Sequence, residues 1–331
     1  MKLFVPASIL TFVLAFVTLT PLKSHAWGKR GHSIVCQTAA YLASSDEKGE
    51  FLKSHSFDLG YYCNVPDITW KKPETYDLES FNHFMDMEIF EREFKDSGVA
   101  KPFEMDRLAF NAAFPKIEDK AGRAFWRVRE LMDGLTKLRD DLGKPDLTRE
   151  VKHGLQADWL VHAGAIGHYV GDLAQPLHVT ENYDGQLTGQ KGLHAFYEDD
   201  VVDELFQGMG TSLESDVMKA AQKKWKHTAT TLEKKSTLQL LEDLANDSNR
   251  DLANVLKLDK KVGRKDIKKA ALTYRAGIVD RMATGAVALG VLWKRGLGWA
   301  YDGKRFYTFR GEPAFIAPPQ APKTSPTPAK Q

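Results

Sequence analysis

The sequence predicts a mostly α protein: a single multi-helix domain with a loop-rich active-site region and little β structure. Three observations carry this. Several long segments repeat apolar residues at three- and four-residue intervals, which marks one face of a helix. Few segments alternate apolar and polar residues with period two, the signature of a half-buried strand. The chain has 331 residues, 43% hydrophobic and 27% charged, a soluble composition with enough length to bury a sizeable core. Formal net charge is +2, from 46 basic and 44 acidic residues. Lys2 and Lys23 lie in the first 26 residues, which carry no acid, so the rest of the chain balances to zero. Such a chain sets up no strong field for duplex nucleic acid or an anionic membrane. Any anionic substrate must be held by a local site.

Residues 1–26 read as a signal peptide. Lys2 precedes an uncharged apolar run over 3–19, then Pro21, with Ser24 and Ala26 at the small-residue positions of a cleavage site. The run is slightly short for a membrane span of about 20 residues. The mature chain would begin at Trp27, without a membrane span, in a secreted or periplasmic location. A first helix is expected over 31–43, with Ile34, Val35, Ala39 and Leu42 inward. Residues 55–104, rich in aromatics, Asp and Pro, read as loop with short elements. A helix over 121–142 turns Val128, Leu131, Leu135, Leu138 and Leu142 to one face. "GKPD" at 143–146 breaks it, and Thr148 can cap the next helix. That helix directs Leu155, Trp159, Ile166, Val170 and Leu173 inward and ends at Pro176. A Gly-containing loop over 179–193 follows, then helices near 214–234, 236–256 and 265–294. The last would bury Ile267, Leu272, Val279, Met282 and Leu289. The domain is expected over 27–310, and residues 311–331 as a disordered Pro-rich tail.

The chemistry is concentrated in "HAGAIGHYVGDLAQPLH" at 162–178. His168 and Asp172, four apart, leave the same helical face, and His178 can turn back toward them after Pro176. Glycines weaken a helix by up to ~1 kcal/mol each. Here Gly164, Gly167 and Gly171 let neighbouring backbone approach, as a crowded metal cluster requires. His194 and Glu198 in "HAFYE" repeat the spacing. Cleavage before Trp27 would free an α-amine able to bind metal with its own carbonyl, and His32 follows. Asp67 and His83 lie in the loop-rich region, where sites concentrate. Imidazoles with carboxylates are zinc ligands without any cysteine. Cys36 and Cys63 are either paired, in an oxidising compartment, or two buried thiols. His55, His153, His162 and His227 read as surface or structural. The basic runs at 223–226 and 260–269 read as solvated helix faces.

Taken in order, Trp27, His32, Asp67, His83, the His168/Asp172 pair, "PLH" ending at His178 and the His194/Glu198 pair resemble a known pattern. It is that of the zinc-dependent single-strand nucleases of fungi and plants (the S-one/P-one type) and their superfamily relatives, the bacterial zinc phospholipases C. The resemblance runs from Trp27 to about Asp203. It implies three zinc ions per chain. Asp67, His83, His168 and Asp172 would hold one, and the Trp27 amine and carbonyl with His32 and Asp172 a second. His178, His194 and Glu198 would hold the third. Asp67 would orient or deprotonate the attacking water, as the catalytic residue. The resemblance also implies a Cys36–Cys63 disulfide tying the first helix to the loop before Asp67.

Which phosphodiester is cleaved depends on fewer residues. Phe84 and Asp86 stand where the nucleases hold a base, by stacking worth ~1–3 kcal/mol and by hydrogen bonds. A choline lipase needs an aromatic cage, and Ile68 and Ser80 occupy its expected positions. Glu198 and the short loop before His194 are closer to the lipases. The cation that nucleases carry three residues after the Asp ligand is here Trp70, with Lys71 as its substitute. The expected activity is therefore an exported endonuclease for single-stranded DNA and RNA giving 5′-phosphorylated products, with no stable protein partner implied. Phospholipase C is the alternative, and a non-enzymatic zinc scaffold a third reading.

Overall fold

A computed structural model describes residues 27–44, 48–95, 97–115, 117, 120–208, 212–305 and 313–321. Residues 1–26, expected to be a signal peptide, and most of the expected C-terminal tail lie outside the described residues. The described residues are mostly helical and contain no sheet. Among the described residues, β structure is limited to an isolated antiparallel bridge between Met85 and Gly122. The long helices are α1 (Gly28–Leu42), α2 (Ala124–Leu142), α3 (Arg149–Ala174), α4 (Leu213–Glu233), α5 (Thr237–Val262) and α6 (Ile267–Arg295).

Each long helix starts or stops where local chemistry dictates. The Thr148 side chain accepts the Val151 N–H at 3.3 Å and opens α3. Ser236 and Gln239 form a reciprocal capping box at the start of α5. Asp266 caps α6 by accepting the Lys269 N–H at 3.0 Å. α6 is long and apolar enough to cross a membrane, but most of it is buried as the central core helix. It packs against α1, α3, α4 and α5. α3 lies beside it, flanked by α1, α2 and the short helix Ser56–Tyr62.

Three expectations are corrected. Residues 55–104 are more helical than their composition suggests, with Ser56–Tyr62, Tyr76–Glu79 and Met87–Lys95 all helical. Elements this short hold too few turns to show a period. Leu272 is 56% exposed. The inward face of α6 there runs through Ala271, Tyr274 and Ile278. The tail is ordered against the domain over residues 313–321. The Trp70 indole donates to the Pro313 carbonyl at 3.2 Å, Phe315 meets the Trp70 ring edge-on, and Arg127 donates to the Ile316 carbonyl. Two apolar rings and two buried donors hold what composition alone marks as disordered.

The small residues of α3 are used for close approach. A Cβ on Gly167 would stand 2.3 Å from Cys36 Sγ and 2.7 Å from Cys63 Sγ. These two cysteines form the disulfide that joins α1 to the end of Ser56–Tyr62. Gly171 likewise leaves room for the His32 ring, whose Nδ1 would stand 2.9 Å from an added Cβ.

Gly167→Ala should therefore lower stability by ~1–3 kcal/mol through overpacking, despite a helix-propensity gain of up to ~1 kcal/mol. Urea denaturation checks this, and an unchanged or raised midpoint would show that the helix has room. Replacing both Cys36 and Cys63 by Ser should cost about 3 kcal/mol by loop entropy, read in the same way. Thiol titration of the denatured, unreduced protein should find no free thiol among these two.

Candidate metal centre

Five segments converge on the polar face of α3. α1 brings His32, the turn Pro66–Trp70 brings Asp67, and the turn Ser80–His83 brings His83. The turn Pro176–His178 brings His178, and residues 194–198 bring His194 and Glu198. Asp67 and Glu198 both sit in π-helical turns. Such turns add a residue to the helical ring, re-aim a side chain and are frequent at functional sites. Trp27 closes the start of α1 with left-handed backbone (φ 51°). Its buried indole donates to the Gly171 carbonyl at 2.8 Å and stands against the Tyr197 ring, which fastens α1 to α3 beside the cluster.

All eight side-chain ligands expected from the sequence are brought together. His32, His168 and Asp172 form one buried group, Asp67, His83 and His168 a second, and His178, His194 and Glu198 a third. Each could hold a metal ion, with potential ligand atoms within 4.8 Å of one another. Asp172 divides its oxygens. Oδ1 lies 3.3 Å from His32 Nε2. Oδ2 lies 3.2 Å from His83 Nδ1 and 3.5 Å from His168 Nε2. One carboxylate thus faces two neighbouring positions, as a bridging ligand must. The Asp67 oxygens are 3.7 Å from His83 Nδ1 and from His168 Nε2. In the third group, Glu198 Oε2 lies 2.9 Å from His194 Nε2 and 3.6 Å from His178 Nε2.

The imidazole nitrogens identify what fits here. His168 Nδ1 is 2.7 Å from the Cys63 carbonyl, so it carries the proton and Nε2 carries a lone pair. His178 Nδ1 is 2.7 Å from the His83 carbonyl, with the same consequence. These ligand nitrogens then face other imidazole nitrogens at short range. His168 Nε2 stands 2.9 Å from His83 Nδ1, and His178 Nε2 stands 2.9 Å from His194 Nε2. Lone pairs brought this close repel unless a cation or a proton lies between them. The oxygens of the wholly buried Asp172 face imidazole nitrogens at 3.2, 3.3 and 3.5 Å, a buried negative charge that a cation would neutralise.

Electrostatics points the same way. Burial would raise the Asp172 carboxyl, but the His168 and His178 imidazoles, with hydrogen bonds from His32 and His83, hold it well below the usual range. Burial opposes ionisation of Glu198 too, yet His194 and His178 bring it down to about 2. Burial and Lys71 lower the His83 imidazole, while Asp172, Glu79 and Asp67 raise it, to about 9 overall. Burial pushes His168 well below its ordinary value, which favours the neutral, ligating form. The carboxylates and His168 are thus in their ligating forms, whereas His83 must give up its Nδ1 proton to an incoming metal.

A cavity of about 330 Å³ opens on the clusters. His83, His178 and His194 form part of its wall, with Phe81, Phe84, Tyr76 and Tyr183. Asp86, Lys71 and Lys120 supply the charge. Burial, with Glu88 and Glu181 nearby, pushes the Asp86 carboxyl up to about 8. Lys71 Nζ stands 3.4 Å from Asp67 Oδ1. Trp70 turns away and packs beneath Phe315, so Lys71 is the cation at this edge. His55 is a buried structural residue, with Nδ1 2.9 Å from the Phe51 carbonyl. His162 pairs with its own helix at Asp158 and packs against Gly134.

Several participants carried no recognised sequence signal. Gln175 donates to Glu198 Oε2 at 3.1 Å. Tyr76, Tyr183 and Lys120 complete the cavity. Glu79 lies 3.2 Å from His83 Nε2. It is four residues before His83, the same spacing that marks the two pairs already recognised.

The two groups of clusters should separate in metal content. Asp172→Asn removes a charge shared by two positions, whereas Glu198→Gln touches only the third. Elemental analysis after gel filtration should find a larger metal loss for Asp172→Asn than for Glu198→Gln. Equal losses, or none, would remove Asp172 from a bridging position. No family model matches the chain, and no curated protein matches it.

Proposed function

We propose that the protein is an exported, zinc-dependent phosphodiesterase, acting as an endonuclease on single-stranded DNA and RNA and leaving 5′-phosphorylated products. The observation that carries this reading is the aromatic cavity whose wall is built from the same histidines that surround the carboxylates. A phosphate held there would reach the metal clusters while its base lies among rings. Histidine-rich sites without cysteine suit zinc, whereas calcium and magnesium prefer oxygen donors. Three ions per chain follow if each cluster is filled, with the Trp27 main-chain amine and carbonyl completing the His32 position. The leader-like segment before Trp27 and the Cys36–Cys63 disulfide support export.

Zinc, when bound, supplies Lewis acidity toward phosphoryl oxygens and a water acidic enough to ionise near neutral pH. The chain's own groups do the rest. Asp67 holds the proton of the attacking water and orients it. Lys71 and Lys120 attract the phosphate backbone into a protein that has no attractive field of its own. Phe84 stacks the base, aided by the neighbouring rings. Asp86, in the same cavity wall, accepts hydrogen bonds from a base edge.

The same features oppose a choline lipase. Two lysines line the cavity, which carries no aromatic cage at Ile68 or Ser80. A quaternary ammonium needs the reverse. Ile68 lines a separate groove with Phe57 and Tyr61.

Wild-type protein should cleave single-stranded oligonucleotides, with phosphatidylcholine untouched. Phe84→Ala should keep its metal content and lose about 5–150-fold in kcat/KM on oligonucleotides, the equivalent of ~1–3 kcal/mol of stacking. A small phosphodiester without a base should be cleaved at an unchanged rate. Lipid hydrolysis without oligonucleotide cleavage would replace this reading with phospholipase C.

A further inference from the structure

Behind His83, on the side away from the cavity, lies a buried polar system that the ligand set does not use. Glu79 is wholly buried at the end of the helix Tyr76–Glu79. Its Oε1 faces His83 Nε2 at 3.2 Å and accepts the Tyr169 hydroxyl. Its Oε2 accepts from Asn82 Nδ2 at 3.1 Å.

The proton positions in this system follow from its far end. Arg107 has only donors, and its Nη2 stands 3.0 Å from Asn82 Oδ1. The Asn82 amide is thereby fixed with its NH₂ toward Glu79 and the Leu78 carbonyl, the latter at 2.8 Å. Glu79 is then an acceptor surrounded by donors. Charge is balanced as well: Arg107 donates to Glu130 at 2.7 Å, and the buried Arg127 stands over the Tyr169 ring. Against such a carboxylate, His83 Nε2 must carry the imidazole proton. Its Nδ1 faces Asp172 at 3.2 Å and Asp67 at 3.7 Å, and a metal bound between them would displace the proton from Nδ1 while Glu79 keeps the one on Nε2.

We propose that Glu79 is a positioning residue of the metal centre, fixing the tautomer and ring orientation of His83 so that Nδ1 is always presented to the metal. His168 and His178 are fixed by main-chain carbonyls, whereas His83 is fixed by an anion. A carboxylate behind a ligating imidazole raises its basicity, and loss of such a partner typically weakens metal binding roughly 10–100-fold. The inference rests on the zinc-centre part of the proposed function and is independent of the substrate.

The test compares wild type with Glu79→Gln, in which the new amide must set a donor against either Asn82 or the Tyr169–His83 pair. Zinc affinity is read by competition with a chromophoric chelator. The His83 tautomer is read from long-range ¹H–¹⁵N correlations of histidine-labelled zinc-loaded protein. Glu79→Gln should weaken the tightest-coupled site roughly 10–100-fold and lose the single Nε2–H signature of His83. kcat should fall while KM stays, and Glu79→Asp should recover part of the affinity. Wild-type affinity and an unchanged His83 spectrum in Glu79→Gln would overturn the proposal. Should Glu79→Gln not fold, Glu79→Asp decides alone: it keeps the charge but shortens the reach, and wild-type affinity with an unchanged tautomer overturns the proposal. If wild type binds zinc but cleaves no oligonucleotide, the nuclease reading fails while the metal and tautomer readouts still judge Glu79.

Discussion

The structure depends on one electrostatic constraint: Asp172, ionised and wholly buried near the C-terminal end of α3, with imidazole nitrogens against both oxygens. An unpaired buried carboxylate costs several kcal/mol. The surroundings respond with imidazoles from three separate segments, His32 on one side and His83 and His168 on the other. Those imidazoles turn lone pairs inward, and positive charge is needed at the centre. The glycines of α3 are the steric counterpart of this demand, since only they admit the His32 ring and the disulfide at such distances.

The ligands are held from behind at least as firmly as from the front. The carbonyl that fixes His168 belongs to Cys63, which the disulfide anchors to α1. The carbonyl that fixes His178 belongs to His83, itself backed by Glu79. Two ligands thus share one support, and a shift at residue 83 is felt in both the second and the third cluster. A metal site built on such interlocked partners loses little entropy on binding and tolerates little misplacement.

The open and closed sides of the centre are chemically distinct. The cavity side carries rings and two lysines, which suits an anionic chain with flat bases. Away from this opening, residues 313–321 cover Trp70 and Arg127. Trp70 spends its ring on this contact, and Lys71 is left to supply the charge beside Asp67.

The sequence by itself determined what local periodicity encodes. The helical class, α1 to α6 within a few residues and the facing of His168 with Asp172 and of His194 with Glu198 all follow from the 3.6-residue repeat. The eight side chains read from the sequence as an ordered pattern are the ones the structure gathers into three groups that could hold metal. Glu79 and His83 share the i, i+4 spacing but lie in two consecutive one-turn elements, too short to show a period. What only the tertiary structure decided is everything that joins distant segments. His168 and the Cys63 carbonyl are 105 residues apart, Trp70 and Pro313 are 243 apart, and Asn82 is oriented by an arginine from another helix. Hydrogen-bond polarity, tautomer and which wall of a cavity a side chain lines depend on packing across the core, and no spacing along one strand of chain carries that information.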